Sequence, residues 1–177
     1  MKKNLITILV HNRPGVLSHV AGLVTRRGYN VDSIAAGPTQ DHSVTRITLV
    51  VAGDTATVEQ VVKQFQKLVD VISVEILEYD NALTGELALI TLQAGSARHK
   101  RLMDLASLFG FKIIDIRADR VTVEVAGSAR DVDTVVAALT PFPIIAMART
   151  GLVALPRSQA SLSRSLHDLP AAPTSQD

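Results

Sequence analysis

Asn12, Arg13, Pro14 and Gly15 stand directly ahead of an apolar-periodic stretch, and residues of these types at a helix entrance can make an anion site. Proline at the first helical position gives up an N–H that would be unpaired anyway, and glycine lets a ligand come close to the backbone. The free N–H groups that remain, with the positive end of the helix macrodipole, could hold the α-carboxylate of a free amino acid. The Asn12 carbonyl oxygen could accept from the ligand ammonium while its NH2 group holds the loop, and Asn30 could offer the same chemistry from across an interface. The residues alone leave a plainer reading open, in which Asn12 is a helix cap and Asn30 a turn residue after Gly28.

Other chemistry finds little support. The histidines, His11, His19, His42, His99 and His167, lie singly and none sits at metal-ligand spacing. Ser18 and His19 are adjacent, so on a helix they point about 100° apart, and no triad with Asp32 follows. Gly15, Gly22 and Gly28 match neither a dinucleotide nor a P-loop fingerprint. The absence of cysteine removes thiolate nucleophiles, disulfides and Cys-ligated metals, and it fits a reducing compartment, so the cytoplasm is the expected location. No catalytic residue, resident metal or cofactor is expected.

The elements that must position Asn12 and Gly15 belong to a chain of 177 residues, 47% hydrophobic and 20% charged, long enough for two small domains. A net charge of +1 creates no field that would steer nucleic acid or an anionic membrane. RNA-binding domains of similar topology stack bases on strand aromatics, and with 3% aromatic residues this chain is not expected to do so. Its basic then apolar start stops at His11, so a first strand is expected there and no signal peptide. No stretch approaches the roughly 18 apolar residues of a membrane span.

Leu5 to Val10 reads as a buried strand, followed by a helix whose stripe is Leu17, Val20, Ala21 and Val24 and whose stop is Gly28. Tyr29 to Ile34 and Arg46 to Ala52 are β-branched runs joined by a polar connection. A second helix carries Val58, Val61, Val62, Phe65 and Leu68 on one face, and Val71 to Leu77 closes the unit as a strand. This order is the split βαβ, or ferredoxin-like, arrangement, predicted for residues 1–78. The other face of so short a sheet calls for cover, with a second copy of the chain or the following segment as the expected source.

Glu78 to Glu86 reads as a polar connection, after which the rhythm recurs over residues 82–156 as a second small α+β domain. Its strands are Leu87 to Leu92, Lys112 to Ile116, Val121 to Val125, Ile144 to Arg149 and Val153 to Leu155, and its helical stripes run through Leu102, Leu105, Ala106 and Phe109 and through Val132, Val135, Val136 and Leu139. Residues 157–177 shift to Ser, Ala and Pro, a composition that cannot offset its ordering entropy, so a disordered tail is expected, with Leu162, Leu166 and Leu169 at best a short helix.

The segment Val10-His11-Asn12-Arg13-Pro14-Gly15-Val16-Leu17-Ser18, the run Gly22 to Ile34 and Gly37-Pro38-Thr39 stand in register in a way that resembles an ACT domain, the small-molecule-binding module of many amino-acid enzymes. With Leu68-Val69-Asp70-Val71-Ile72 and Ala148 to Leu155 added, the wording resembles the regulatory small subunits of acetolactate synthase, also called acetohydroxyacid synthase, over both domains. The resemblance implies an α+β fold with an N-terminal ferredoxin-like βαββαβ ACT domain, a homodimer through that domain, and valine, leucine or isoleucine held at the dimer interface by Asn12, Pro14, Gly15, Val16, Asn30 and Val31. It also implies a catalytic large subunit as partner, contacted by the second domain, which would carry the thiamine diphosphate, magnesium and FAD while this chain holds none. Two departures stand out: His11 where the family often has an acidic residue, and a short, weakly charged start to the second domain around Gly95-Ser96-Ala97. A stand-alone ACT sensor regulating some other enzyme is the alternative. Deletion from Ser158 onward is expected to leave thermal unfolding and valine binding unchanged, and melting of the core on truncation would contradict the tail reading.

Overall fold

Nine residues, Lys3–His11, form β1, and the computed structural model describes the chain from there to residue 157. The tail expectation, including Leu162, Leu166 and Leu169, lies outside the described residues. After β1 come α1 (Val16–Arg27), β2 (Asn30–Pro38), β3 (Val44–Ala52), α2 (Thr55–Phe65) and β4 (Val71–Leu77). The sheet order is β2-β3-β1-β4, antiparallel throughout, which is the expected split βαβ topology. One face of the sheet meets both helices over Ile6, Ile8, Val10, Ile47, Leu49 and Val51, against which Val20, Val24, Val58, Val61 and Phe65 pack. Burial of such aliphatic side chains contributes roughly 1.5–3 kcal/mol each.

A turn at Tyr79–Asn81 leads to β5 (Ala82–Gln93), α3 (Ser96–Phe109), β6 (Lys112–Ile116), β7 (Arg120–Gly127), α4 (Ala129–Ala138), β8 (Ile144–Arg149) and β9 (Val153–Pro156). The order β6-β7-β5-β8, with β9 added on β5, repeats the topology of the first sheet. Compactness divides the described chain into residues 3–83 with 154–157 and the unit Thr84–Val153, with the boundary inside β5. The second core gathers Ile90, Leu92, Val121, Val123 and Val125 from the sheet and Leu102, Val132, Val135 and Leu139 from the helices or their ends.

Three local expectations are corrected. The inward stripe of α1 is Val16, Val20, Leu23 and Val24, while Leu17 is 53% exposed and Ala21 faces outward. Two neighbouring apolar rows run along this helix, and the turn that opens it sets which one meets the sheet. The polar connection proposed for Glu78 to Glu86 is already strand from Ala82, because Ala82 and Glu86 both become buried as β5 extends. The helix expected to begin at Pro14 begins at Val16.

Within the second unit Glu86 is buried, its side chain 6% exposed, and Arg149 meets it with two parallel hydrogen bonds, Nε to Oε1 at 2.7 Å and Nη2 to Oε2 at 2.9 Å. Arg149 Nη1 also donates to Asp133 at 2.8 Å, and these carboxylates raise the guanidinium pKa above its ordinary value despite partial desolvation. Arg149→Met leaves the Glu86 carboxylate without its donors and is expected to cost about 2 kcal/mol in equilibrium denaturation. Because α3 buries Leu102 fully while Met103 is exposed, Leu102→Ala is expected to cost about 3 kcal/mol and Met103→Ala under about 0.5 kcal/mol. Equal losses at 102 and 103 would contradict this packing.

Candidate functional site

The start of α1 is built by a tight turn. Gly15 has φ 87° and ψ −14°, the conformation of the third residue of a type II turn with proline before it, and Val16 N–H closes that turn on the Arg13 carbonyl at 3.4 Å. Gly15 is also the helix N-cap: it offers no side chain to the orphan amides, and its carbonyl accepts from His19 N–H at 3.0 Å. Among the described residues, the N–H groups of Gly15, Leu17 and Ser18 make no hydrogen bond within the chain. A Cβ placed on Gly15 would meet no atom within 4 Å, so the turn borders open space. Pro14 thus lies one residue before the cap and not at the first helical position, and Val16 turns its side chain into the core.

Asn12 is not the helix cap. Its backbone N–H donates to the Ser43 carbonyl at 2.7 Å and its Nδ2 to the His42 carbonyl at 3.0 Å, tying the β1–α1 loop to the β2–β3 connection. The amide plane therefore leaves Oδ1 as the acceptor on the other side. The connection it grips is stiffened from within: Asp41 Oδ1 accepts from Ser43 N–H at 2.8 Å and from its hydroxyl at 2.7 Å, which holds the Asp41 carboxyl below its usual pKa. The His42–Ser43 anchor was not legible in the sequence, where the connection reads as a generic polar link. His11 and His19 stand nearby on Asp70: His11 N–H donates to its carbonyl at 2.9 Å, and His19 Nδ1 lies 3.7 Å from its carboxylate.

Asn30 opens β2 as a strand residue, opposite Ala52 on β3, with Val31 opposite Val51 next to a bulge. Asn30 borders a surface cavity of about 490 Å³ together with Tyr29, Gly53 and Asp54, and Val31 packs partly into the core. Lys3 on β1 also aligns with Ala52, whereas His11 aligns with Val44 and Pro38 with Thr45. Within one chain, then, Asn12–Gly15 and Asn30–Val31 occupy opposite ends of the same sheet, roughly 25 Å apart at about 3.3 Å per residue. The structure brings Asn12, Pro14 and Gly15 together at one corner and keeps Asn30 and Val31 away from them.

Among the described residues, no three His, Asp or Glu side chains converge as metal ligands, and no helix is long and apolar enough to cross a membrane.

Comparison with known proteins gives the same two-part division of the sequence. Residues 6–73 match the model of the ACT domain of AHAS small subunit-like proteins, and residues 85–158 match the model described as the small subunit of acetolactate synthase. The acetolactate synthase small subunit of Mycobacterium leprae is 37% identical over 152 residues, 86% of this chain and 90% of that protein. The probable acetolactate synthase small subunit of Archaeoglobus fulgidus is 39% identical over 156 residues, 88% of this chain and 97% of that one. The crystal structure of the acetolactate synthase small subunit from Thermotoga maritima superposes with a TM-score of 0.84 at 34% identity, covering 89% of this chain and 99% of its own. With both of its units matched in order by that family and its fold shared with a solved member, the chain belongs to the acetolactate synthase small-subunit family.

Proposed function

We propose that the chain is the regulatory subunit of an acetolactate synthase, with no catalysis of its own, and that it binds a branched-chain amino acid between two copies of its first unit. The observation that carries this reading is the pair of half-sites at opposite ends of one sheet. β2 is an edge strand, so a second copy can add its own β2 antiparallel about a two-fold axis near Ile34, the middle residue of the strand. That pairing sets Asn30 of one copy beside Pro38 of the other, the end of the sheet to which Asn12 is tied through His42. Pairing through β4, the opposite edge, leaves the half-sites apart.

At the completed corner the free amides at Gly15, Leu17 and Ser18 receive the α-carboxylate, with the helix dipole behind them. Asn12 Oδ1 and the Asn30 amide take the ammonium, and the exposed aliphatic surface of Leu17 suits a branched side chain. Ligand binding favours one packing of the pair, and the second unit passes that preference to a large catalytic subunit, where thiamine diphosphate, magnesium and FAD reside. A coupling of about 1–3 kcal/mol suffices for feedback control. An ACT sensor acting on a different enzyme shares the site but not the match over the second unit, which favours the acetolactate synthase partner.

Reconstitution with a cognate large subunit, followed by valine, leucine and isoleucine in turn, tests the function: activity should rise with this chain and fall on adding one of these amino acids. Absence of both responses would contradict the reading. Asn12→Ala is expected to weaken valine binding about tenfold in calorimetry, the loss of one hydrogen bond to a charged group. Gly15→Asp places a carboxylate in the open space beside the amides, at a left-handed position that costs aspartate about 1–2 kcal/mol of backbone strain. It is expected to abolish valine binding and inhibition while activation of the large subunit persists. Parent-like affinity in either variant would refute the site.

A further inference from the structure

Cations gathered in one place repel one another, so a gathering without counter-charges carries a cost that a bound anion can offset. The first unit holds such a gathering. On α2 and the turn that continues it, Gln60, Lys63, Gln64 and Lys67 recur at i, i+3, i+4 and i+7, the spacing of one helix face. Lys63 and Lys67 stand one turn apart with like charge, which is a destabilising arrangement. Arg27 reaches the same face from the last turn of α1, where its Nη2 donates to Gln64 Oε1 at 3.4 Å.

Together with Tyr29 these side chains line a surface cavity of about 500 Å³ whose lining includes no carboxylate. All three cations are exposed, and among the described residues none forms an ion pair within 4 Å, even though Glu59 precedes Lys63 by one helical turn. Other cations of the chain do find carboxylates, as Lys112 finds Glu124 and Arg149 finds Glu86. Nor are these three spent on the helix ends. The backbone N–H groups of Gly28 and Gln66 cap the last carbonyls of α1 and α2. The rest of the lining adds neutral donors, the glutamine NH2 groups and the Tyr29 hydroxyl.

We infer that this cavity is a binding site for a small polyanion, a molecule carrying two or more phosphate or carboxylate groups. Arg27 offers the planar fork that such a group accepts from in bidentate fashion, and Lys63 and Lys67 offer point charges from the neighbouring helix. A monovalent anion leaves most of the local charge unmet, whereas a ligand of two or more charges meets it and is selected for that reason. The site is separate from the Asn12–Gly15 corner, and the inference does not depend on the amino-acid reading of that corner.

Calorimetry on the full chain at fixed ionic strength, with inorganic pyrophosphate and citrate as probes, tests the assignment. At least one probe should saturate a single site per chain, and the tighter of the two tells phosphate from carboxylate chemistry. Combining Lys63→Gln with Lys67→Gln should weaken that binding at least about tenfold, as should Arg27→Gln, through loss of charge-assisted hydrogen bonds. Combining Arg98→Gln with Lys100→Gln, exposed cations of α3 outside the cavity, should leave affinity within about twofold. Without a probe and at low salt, the Lys63→Gln, Lys67→Gln chain should unfold no lower than the parent, because a repulsion has been removed. Failure of both probes to saturate at millimolar concentration would overturn the proposal. So would an equal loss in the α3 variant, which marks a diffuse basic surface, or a lowered melting temperature in the Lys63→Gln, Lys67→Gln chain, which assigns the lysines to the fold.

Discussion

The left-handed turn at Gly15 governs most of what the first unit can do. At φ 87° the chain can leave β1, reverse within Arg13–Val16 and enter α1 with Val16 inward and no side chain over the helix start. An ordinary N-cap residue would spend its own oxygen on one of those amides. α2 and α4 illustrate the contrast: Asp54 accepts from Thr57 N–H at 2.8 Å, and Ser128 forms a reciprocal capping box with Asp131. The helix at the candidate site keeps its first amides free of a side-chain cap, as α3 does behind Gly95, while α2 and α4 close one of theirs.

Around this turn the first unit is arranged to hold a loop in place. Asn12 spends one half of its amide on the His42 carbonyl, and the β2–β3 connection is locked by Asp41, so the β1–α1 corner cannot drift from the end of β2. The antiparallel register separates Asn30 from that corner by the length of the sheet, and a site that needs both ends needs two chains. In the proposed reading dimerisation and ligand binding become one equilibrium, which is the physical requirement for a small molecule to change quaternary packing. The second unit repeats the topology with its own core and its own edges.

Much of this was legible in the sequence. The order of strands and helices, the repeat of that order and the boundaries of β4, β6 and β8 followed from apolar and β-branched runs bounded by turn residues. Helix α1 was misread where two apolar rows compete: Leu17 and Ala21 continue the pattern as well as Val16 and Leu23 do, and the tertiary turn at Gly15 chooses between them. The strand from Ala82 to Glu86 was hidden by Thr84, Gly85 and Glu86, polar or small residues that become strand because Arg149, distant in sequence, neutralises Glu86. The types of Asn12 and Gly15 pointed to a candidate ligand corner, but the role of Asn12 as a clamp on His42 depends on a contact between residues 30 positions apart that no local pattern encodes.

The most direct measurement is an amide-resolved NMR titration of the full chain with valine. If two copies share the ligand, the N–H resonances of Gly15, Leu17 and Ser18 shift on the same saturation curve as those of Asn30 and Val31, although the two groups lie at opposite ends of the sheet within one chain. Shifts confined to one end, or amides at Gly15 that stay unmoved while valine binds elsewhere, would contradict the account.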